Sequence, residues 1–347
     1  MVDTIKKIQQ KSMKYKGIWK NILALDQGEF PTLKDQNIRL FTGNANRELA
    51  RDIASYLEIP LSGALVSRFT NGEIKVKIEE SVRGFECFVI QPICWPVNDN
   101  LMELLVMCDA LVRASATSVN VIVPYFAYAR QEKKTTGREP ITAKLVANLM
   151  SVAGAHRIIT MDLHSMAIQG FFDIPVDNLF AYPIFEYHYK ERGLSGDQVV
   201  IVSPDAGGVA RAREFAERLN ASMAIIFKRR PKPDVAELVE LVGDVRNKKA
   251  ILIDDMISTG GTLVQAAHMI EDLGAKEIYA CATHPVLAGD AIDMINESPI
   301  KEVAVTNTIP LPENRDIRKL LRLSVAPMFG EVIRRNFFNL SISKLYV

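Results

Sequence analysis

Short apolar runs alternate along this chain with stretches of helical periodicity. From Asn37 onward, runs rich in Val and Ile are separated by segments in which apolar residues recur at helical spacing. Continuous apolar strands of this kind are typical of parallel sheets covered by helices on both faces. The predicted strands are Ile38–Phe41, Cys87–Ile93, Val119–Tyr125, Arg157–Met161, Val199–Val202, Ala224–Phe227, Ala250–Ile253 and Glu277–Ala282.

The intervening segments predict amphipathic helices, and two glycines support their ends. Gly154 and Gly274 follow predicted helices directly, where a C-cap residue is expected. The predicted helices are Arg47–Leu57, Leu101–Ser115, Thr142–Ala153, Val209–Asn220 and Leu263–Leu273. The alternation predicts an α/β fold with two similar halves, each a mostly parallel sheet flanked by helices.

We expect three parts along the chain. Residues 1–36 form an N-terminal extension of unknown role, with a short amphipathic helix around Ile5–Ile22. Residues 37–180 form a first α/β domain and residues 181–347 a second, and part of 320–347 is expected to pack back on the first. In open α/β sheets, ligands bind beyond the carboxyl ends of the strands, so functional residues are expected there.

Composition and charge exclude several classes of function. The 347 residues are 48% hydrophobic and 24% charged, with a formal net charge of +1, which gives no support for a nucleic-acid or acidic-membrane partner. No run of about 18 apolar residues is present, so no membrane span is expected. The four cysteines show no paired metal-ligand spacing, and buried, reduced thiols fit a cytoplasmic protein.

The segment Ala250–Thr262 predicts one half of a sugar-phosphate site. Asp254 and Asp255 follow an apolar strand directly. Because successive strand residues point to opposite faces, we expect that the two carboxylates do not share one internal contact. At a strand end they can accept hydrogen bonds from the hydroxyl groups of a ribose.

The loop after these carboxylates predicts the phosphate half of the site. Gly260 and Gly261 allow positive φ and a close approach of the backbone, while Thr259 and Thr262 add hydroxyl donors. A helix that begins near Leu263 would direct its unpaired N–H groups at an anion. The alternative is an acidic cap before an ordinary helix.

Carboxylates and one imidazole follow other predicted strands, where they could hold Mg²⁺. This ion keeps much of its hydration and needs few protein ligands. A single histidine at a strand end can equally be a hydrogen-bonded structural residue, so that reading stays open. The candidate metal ligands are Asp162, His164, Asp173, Asp177 and Asp205.

Two basic segments supply the cations that a polyphosphate requires. Tyr125–Lys134, which contains Arg130 and Gln131, follows one strand, and Lys228–Pro233 follows another. Prolines and lysines after a strand indicate a mobile loop that can close over developing negative charge. Phosphoryl and pyrophosphoryl transfer depend mainly on such positioned charges. The chain lacks the GxxxxGK[ST] loop and the protein-kinase motifs, so another nucleotide-binding scaffold is indicated.

From Ile38 to Val347 the chain resembles the ribose-phosphate pyrophosphokinases, also called phosphoribosyl pyrophosphate synthetases. The resemblance implies two phosphoribosyltransferase-type domains and Mg²⁺-dependent transfer of the pyrophosphoryl group of ATP to the C1 hydroxyl of ribose 5-phosphate. The products are phosphoribosyl pyrophosphate, used in nucleotide biosynthesis, and AMP. The motifs that carry the resemblance are Phe41–Asn46, Arg68–Glu73, Glu80–Gly84, Tyr128–Gln131, Asp162–His164, Gly170–Pro175, Ser203–Asp205, Lys228–Pro231, Asp254–Thr262 and Thr283–Pro285.

The same resemblance implies roles for individual residues. The first domain would bind ATP and the second ribose 5-phosphate. Lys228 and Arg230 would stabilise the transition state, and His164 and Asp205 would serve the Mg²⁺ sites, with weaker assignments for Asp162, Asp173 and Asp177. The ATP-binding residues would be Arg130, Gln131 and His164, with Phe69, Asn71 and Glu73 from a neighbouring subunit. The residues that bind ribose 5-phosphate would be Asp254, Asp255, Ser258, Thr259, Gly260, Gly261 and Thr262.

Three positions depart from the family pattern. Ser258 stands where most relatives carry Asp, and Thr135 replaces a commonly acidic residue. Met166 stands where relatives carry a regulatory-site serine, although Ser81, Arg83 and Ser324 match other parts of a phosphate/ADP allosteric site. The family assembles as hexamers built from dimers, with the ATP site shared across subunits, so a homo-oligomer is implied here too.

Two other functions remain in competition. A phosphoribosyltransferase shares the Asp-Asp and Thr-Gly-Gly-Thr pattern, but is not expected to carry both basic segments on two α/β halves. A non-catalytic regulatory subunit, or a sensor of phosphoribosyl pyrophosphate, would need no catalytic cations. The retained His164, Asp205, Lys228 and Arg230 favour an active synthetase.

Overall fold

The structure, a computed structural model, describes residues 32–229 and 238–346. The predicted helix at Ile5–Ile22 lies outside these ranges. The chain forms two compact units. Of the described residues, one unit contains 32–180, 308–310 and 324–346, and the other contains 181–229, 238–307 and 311–323.

The helices and strands alternate along the chain. Up to Phe180 they are β1 (Ile38–Thr42), α1 (Arg47–Leu57), β2 (Ala64–Arg68), β3 (Ile74–Ile78), β4 (Glu86–Ile90), α2 (Val97–Arg113), β5 (Ser118–Val123), α3 (Thr142–Val152), β6 (Arg157–Met161) and β7 (Val176–Leu179). They continue with α4 (Tyr182–Lys190), β8 (Val199–Ser203), α5 (Val209–Arg218), β9 (Ser222–Arg229), β10 (Leu238–Val242), β11 (Lys249–Ile257), α6 (Gly261–Asp272), β12 (Glu277–Pro285), α7 (Ala291–Glu297), β13 (Glu302–Thr306), β14 (Leu320–Leu323) and α8 (Ala326–Phe337).

The first unit contains a five-stranded parallel sheet in the order β1-β4-β5-β6-β7. Val119, Val121 and Val123 of β5 belong to its buried core, and Ile122 on the opposite face is buried as well. Burial of both faces explains why this strand is a continuous apolar run. The helix α8 packs against α1 in this unit, where the Tyr56 hydroxyl lies 3.4 Å from Glu331 Oε2.

The second unit contains a seven-stranded sheet in the order β10-β9-β8-β11-β12-β13-β14. All neighbouring pairs are parallel except β9 and β10, which form an antiparallel hairpin. Parallel strands place their carboxyl ends at one edge of each sheet, and the predicted site residues that follow β5, β6 and β8 or lie at the end of β11 belong to that edge.

The α/β fold class is confirmed, and each of the predicted strand runs overlaps an observed strand. Two strand bounds differ from the prediction in ways that affect the site. Strand β11 continues to Ile257, so Asp254 and Asp255 lie within the strand rather than after it. Strand β9 continues to Arg229 and pairs with β10, so Lys228 lies on a strand and not in a loop. Cross-strand hydrogen bonds of the hairpin keep this polar end of β9 extended.

Burial also characterises the cysteines. Cys87, Cys94, Cys108 and Cys281 are free and buried, and burial raises the pKa of the Cys87 and Cys108 thiols to about 12. The Cys87 and Cys108 thiols therefore remain protonated and unreactive at neutral pH. Across the described ranges, none of the helices combines the length and apolar character needed to cross a membrane.

Candidate active site

The turn between β11 and α6 is open and uncapped. Gly260 occupies the N-cap position with φ of 78°, and because it has no side chain, the helix start has no side-chain capping hydrogen bond. A Cβ at Gly260 would lie 3.3 Å from Ala291 Cα, so the backbone passes close to α7. The first N–H groups of a helix have no acceptor inside it. These donors and the Thr259 and Thr262 hydroxyls, for which the described residues offer no partner, form an anion-binding turn.

Two carboxylates lie on β11 beside this turn, and they interact with each other. Asp254 Oδ1 accepts a hydrogen bond from Asp255 N at 2.8 Å, and the two carboxyl groups are within hydrogen-bonding reach. Burial, followed by the neighbouring Asp255, raises the pKa of Asp254 well above its usual range. One proton shared between them relieves the repulsion of two adjacent negative charges.

One arginine contacts both carboxylates, which corrects the expectation from strand alternation. Arg211 Nη1 lies 3.5 Å from Asp254 Oδ1 and 3.5 Å from Asp255 Oδ1. The expectation treated the strand as ideal and ignored the reach of a long side chain from α5. Asp255 is 3% exposed, whereas Asp254 keeps 26% of its side chain exposed. Asp254 is therefore the more accessible of the two for a ligand.

The turn that follows β8 is held by its own carboxylate. Asp205 is exposed, and its Oδ1 accepts hydrogen bonds from Gly207 N at 2.8 Å and Gly208 N at 3.0 Å. The Ser203 hydroxyl donates to the Asp205 carbonyl at 2.7 Å. The turn therefore presents a fixed carboxylate at the carboxyl edge of the second sheet.

The second basic segment is described only in part. The backbone of Lys228 lies in β9 and pairs with Val239 of β10. Arg230 lies outside the described residues.

In the first unit, the segment after β5 is fixed at Gln131 and exposes Arg130. Gln131 Oε1 accepts a hydrogen bond from the Thr142 hydroxyl at 2.6 Å, and its carbonyl accepts from Ala143 N at 3.2 Å. These contacts join the segment to the start of α3. Arg130 itself is exposed, so its guanidinium is accessible from solvent.

The same segment lies next to the residues that follow β6. Although burial raises the pKa of Glu132, hydrogen bonds from Ser165 and Lys133 hold it below its usual range. His164 also contributes to this shift through its charge. The structure therefore brings Glu132 close to the exposed His164, although the two residues belong to motifs that lie apart in sequence.

The other predicted metal ligands of this unit are engaged elsewhere. Asp177 accepts hydrogen bonds from Arg157 Nη1 at 2.9 Å and Asn336 Nδ2 at 3.2 Å. Asp173 lies 3.8 Å from Lys144 Nζ, and Asp162 has a positive φ of 41° after β6. Within residues 32–229 and 238–346, no three His, Cys, Asp or Glu side chains cluster as a metal site would require.

Phe69, Asn71 and Glu73 share the tip of the β2–β3 hairpin. Phe69 N donates to the Glu73 carbonyl at 2.8 Å, and Glu73 N donates to Asn71 Oδ1 at 3.2 Å. The Phe69 side chain is 49% exposed, and Lys75 Nζ lies 5.3 Å from its ring centroid. The tip therefore presents an aromatic face to solvent beside a cation.

Comparison with known proteins shows the family of the chain. A profile described as the N-terminal domain of ribose phosphate pyrophosphokinase matches residues 38–154, and one described as a phosphoribosyl synthetase-associated domain matches residues 228–347. The ribose-phosphate pyrophosphokinase of Caldanaerobacter subterraneus subsp. tengcongensis is 57% identical over 310 residues, covering 89% of this chain and 98% of the relative. The chain belongs to the ribose-phosphate pyrophosphokinase family.

Two further relatives agree with this family. The Bacillus subtilis ribose-phosphate pyrophosphokinase is 51% identical over 312 residues, covering 90% of this chain and 98% of the relative. The crystal structure of phosphoribosylpyrophosphate synthetase from Mycobacterium smegmatis is 43% identical and superposes with a TM-score of 0.83, covering 88% of this chain and 100% of that one. The α/β fold of the matched residues is therefore that of a phosphoribosylpyrophosphate synthetase.

Residues at which the chain departs from the family pattern have definite surroundings. Thr135 N and its hydroxyl donate to Glu139 Oε2 at 2.7 and 2.8 Å. Hydrogen bonds from Thr136 and Thr135 lower the pKa of Glu139 to about 2. Met166 is exposed, and its sulfur accepts from Asn178 Nδ2 at 3.4 Å. The Ser258 carbonyl accepts from Ala288 N at 2.9 Å, so its backbone helps to hold the anion-binding turn.

The matches to an allosteric site lie in two places. Ser81 and Arg83 are exposed before β4, and the backbone of Arg83 bridges to Ala116. Ser324 lies before α8, where its hydroxyl oxygen accepts from Ala326 N at 3.3 Å.

Sequence reasoning missed Arg211 in this member of the family. The residue lies in the first turn of α5, shortly after the Asp205 turn. A basic residue in the first turn of a helix that starts at the carboxyl edge of a sheet is a signal that marks it as a candidate, but this signal does not show which carboxylates the side chain contacts.

Proposed function

We propose that this protein transfers the pyrophosphoryl group of ATP to the C1 hydroxyl of ribose 5-phosphate. The hydroxyl oxygen attacks the β-phosphorus, the bond from that phosphorus to the α,β-bridging oxygen breaks, and AMP leaves. The products serve nucleotide biosynthesis. The observation that carries the proposal is the uncapped turn at Gly260 beside the paired carboxylates of Asp254 and Asp255.

The second unit supplies the acceptor side. Ribose 5-phosphate would place its phosphate against Ser258–Thr262, where N–H groups and hydroxyls converge at the start of α6. Its ribose hydroxyls would donate hydrogen bonds to Asp254 and Asp255, which contribute acceptors at neutral pH. Anchoring both ends of the sugar orients the C1 hydroxyl for attack.

The first unit supplies the ATP side. Arg130 would contact the phosphates or the base through its exposed guanidinium, while Gln131 and His164 lie along the same edge of the sheet. Phe69, Asn71 and Glu73 would hold the adenine of a neighbouring copy, because an exposed aromatic face stacks well on a base. The half-exposed ring of Phe69 supports this assignment.

Lys228 and Arg230 would be the catalytic cations. Transfer of a phosphoryl group spreads charge over several oxygens, which an ammonium point charge and a guanidinium fork stabilise. Lys228 lies in β9 and Arg230 is two residues later in the sequence. This closeness in sequence supports the proposal that both contact the same transferring group.

Mg²⁺ would be the cofactor, and the residues fit it in one respect. His164 and Asp205 are exposed donors after β6 and β8, and Mg²⁺ commonly takes one or two protein ligands together with substrate phosphates and water. Asp162, Asp173 and Asp177 are weaker candidates, since Asp173 and Asp177 already pair with cations. When bound, the ion neutralises charge on the phosphate oxygens.

The wider setting is also proposed. The protein would act in the cytoplasm as a homo-oligomer, a hexamer built from dimers, with the ATP site completed by a second copy. Ser81, Arg83 and Ser324 would belong to a phosphate/ADP regulatory site, with Met166 weakening the usual response.

The test is release of AMP by the purified protein from ATP, Mg²⁺ and ribose 5-phosphate. We expect Lys228→Ala to lower kcat about 100-fold or more with little change in the KM for ribose 5-phosphate. Lys301→Ala is the matched control, since Lys301 pairs with Glu277 at the opposite edge of the second sheet. No AMP at any phosphate concentration would contradict the proposal and favour a non-catalytic subunit. Pyrophosphate release from phosphoribosyl pyrophosphate and a free base would favour a phosphoribosyltransferase.

A further inference from the structure

Arg211 lies between the two carboxylates of the proposed ribose site. Its Nη1 atom is equally distant, at 3.5 Å, from one oxygen of Asp254 and one of Asp255. Only 26% of its side chain is exposed. A guanidinium placed between two carboxylates, and largely shielded from water, interacts with both more strongly than an exposed ion pair would.

The backbone fixes where this side chain begins. Helix α5 starts at Val209, directly after Gly208. A Cβ at Gly208 would lie 2.8 Å from Ser203 Oγ and 4.0 Å from the Ile253 carbonyl. The start of α5 therefore packs close to β11 immediately before Asp254, and Arg211 reaches the carboxylates from a rigid origin.

The charges explain what the arginine achieves. Two adjacent carboxylates repel each other, and a shared proton relieves that repulsion at the cost of one acceptor. In the structure, the charge of Arg211 lowers the pKa of Asp254 against the raising effects of burial and Asp255. The arginine contacts one oxygen of each carboxylate, so the second oxygens can accept hydrogen bonds from ribose hydroxyls.

We propose that Arg211 is a positioning residue for ribose 5-phosphate: it holds the carboxyl groups of Asp254 and Asp255 in the arrangement in which their oxygens accept the ribose hydroxyls. The inference rests on the proposed function for the identity of the ligand. It assigns no contact between Arg211 and the reacting atoms.

The experiment measures ribose 5-phosphate on the full chain in two ways. Steady-state AMP release gives kcat and both KM values, and calorimetry with a non-hydrolysable ATP analogue present gives the Kd for ribose 5-phosphate. We expect Arg211→Gln to raise that Kd about tenfold or more, because charge-assisted hydrogen bonds are lost. The KM for ATP should stay within about twofold. Arg211→Lys should recover part of the affinity, since it restores the charge without the fork.

The matched control is Arg213→Gln, which makes the same charge change at an exposed position of the same helix and should leave the Kd unchanged. Wild-type affinity for ribose 5-phosphate in Arg211→Gln would overturn the proposal. If Arg211→Gln raises the KM for ATP as much as the Kd for ribose 5-phosphate, and Arg211→Lys recovers neither, the role of Arg211 is merely structural and the proposal is also overturned. If the wild type binds ribose 5-phosphate but releases no AMP, the proposed function fails while the role of Arg211 is still measured by calorimetry.

Discussion

Two strand-to-helix turns of this protein each follow the carboxyl end of a parallel strand but have opposite chemistry. The turn after β1, Gly43–Asn46, is closed by side chains. Glu103 Oε1 accepts from Asn44 N at 2.5 Å, and its Oε2 accepts from Asn44 Nδ2 at 2.7 Å. Gln91 Oε1 accepts from Ala45 N at 3.2 Å, and Asn46 caps α1 by accepting from Leu49 N at 3.1 Å.

The turn after β11 offers the same donors without internal acceptors. Gly260 has no side chain with which to cap α6, and no carboxylate in the described parts of the chain accepts from its backbone as Glu103 does in the other turn. The Glu103 carboxylate, which is 4% exposed, would also repel any anion that approached the first turn. The comparison teaches that a glycine turn at a helix start becomes a phosphate site only if the fold leaves its donors unused.

The largest expected effect is on stability, from Glu103→Ala. The change removes the acceptor of Asn44 N and one of two acceptors from each of Asn44 Nδ2 and Gln91 Nε2, and the loss of three hydrogen bonds to one charged group costs about 3 kcal/mol or more of unfolding free energy. Urea unfolding measures the loss. Asp109→Ala, an exposed position on the same helix, should cost about 0.5 kcal/mol or less. Similar losses for both variants would mean that the first turn is not closed by Glu103.

Gly260→Val should affect function more than folding. A β-branched residue at φ of 78° is strained, and its side chain would crowd Ala291, which displaces the donors at the start of α6. We expect kcat/KM for ribose 5-phosphate to fall about 100-fold. Gly193→Val introduces the same side chain at φ of 65° with open space around it and should leave kcat/KM for ribose 5-phosphate unchanged. An equal loss of kcat/KM in both variants would point to general destabilisation.

A smaller effect is expected from Thr262→Val, which keeps the shape of the side chain and removes its hydroxyl. The described residues offer this hydroxyl no partner, so the free energy of unfolding should change by about 0.5 kcal/mol or less. The KM for ribose 5-phosphate should rise about tenfold through the loss of one hydrogen bond to a charged phosphate. An unchanged KM would remove Thr262 from the site and weaken the contrast between the two turns.

The smallest expected effect is a pH dependence of the unfolding free energy that comes from Asp254 in the open site. The folded state raises the pKa of Asp254 above the ordinary value of 3.8 through burial and Asp255. Between pH 3.8 and the raised pKa of the folded state, the folded protein holds a proton that the unfolded chain has released. The unfolding free energy therefore falls as pH rises through this range. Asp254→Asn lacks this proton, and its stability relative to wild type should therefore increase with pH. Urea unfolding at about pH 5 and about pH 7 measures the difference; a constant difference would mean that the pKa of Asp254 is unperturbed.

Much of the fold could be predicted because buried strands are continuous apolar runs. Hairpin strands escaped that criterion: Ile74–Ile78 alternates apolar residues with lysines, and Leu238–Val242 is a short run that contains Glu240. The site motifs could be found because their residue types are rare in combination. Arg211 could not be assigned, because its role depends on how far a long side chain reaches from α5 to β11.

The sequence by itself determined the α/β class, the family and the segments that carry charge and glycine. These properties depend on local periodicity and on residue types in a fixed order. Only the tertiary structure decided which glycine turn is closed and which is open. Glu103 is 59 residues from Asn44 along the chain, and Arg211 is 43 residues from Asp254. Neighbourhoods of this kind are created by the packing of helices on sheets, which brings distant donors, acceptors and charges within a few ångströms.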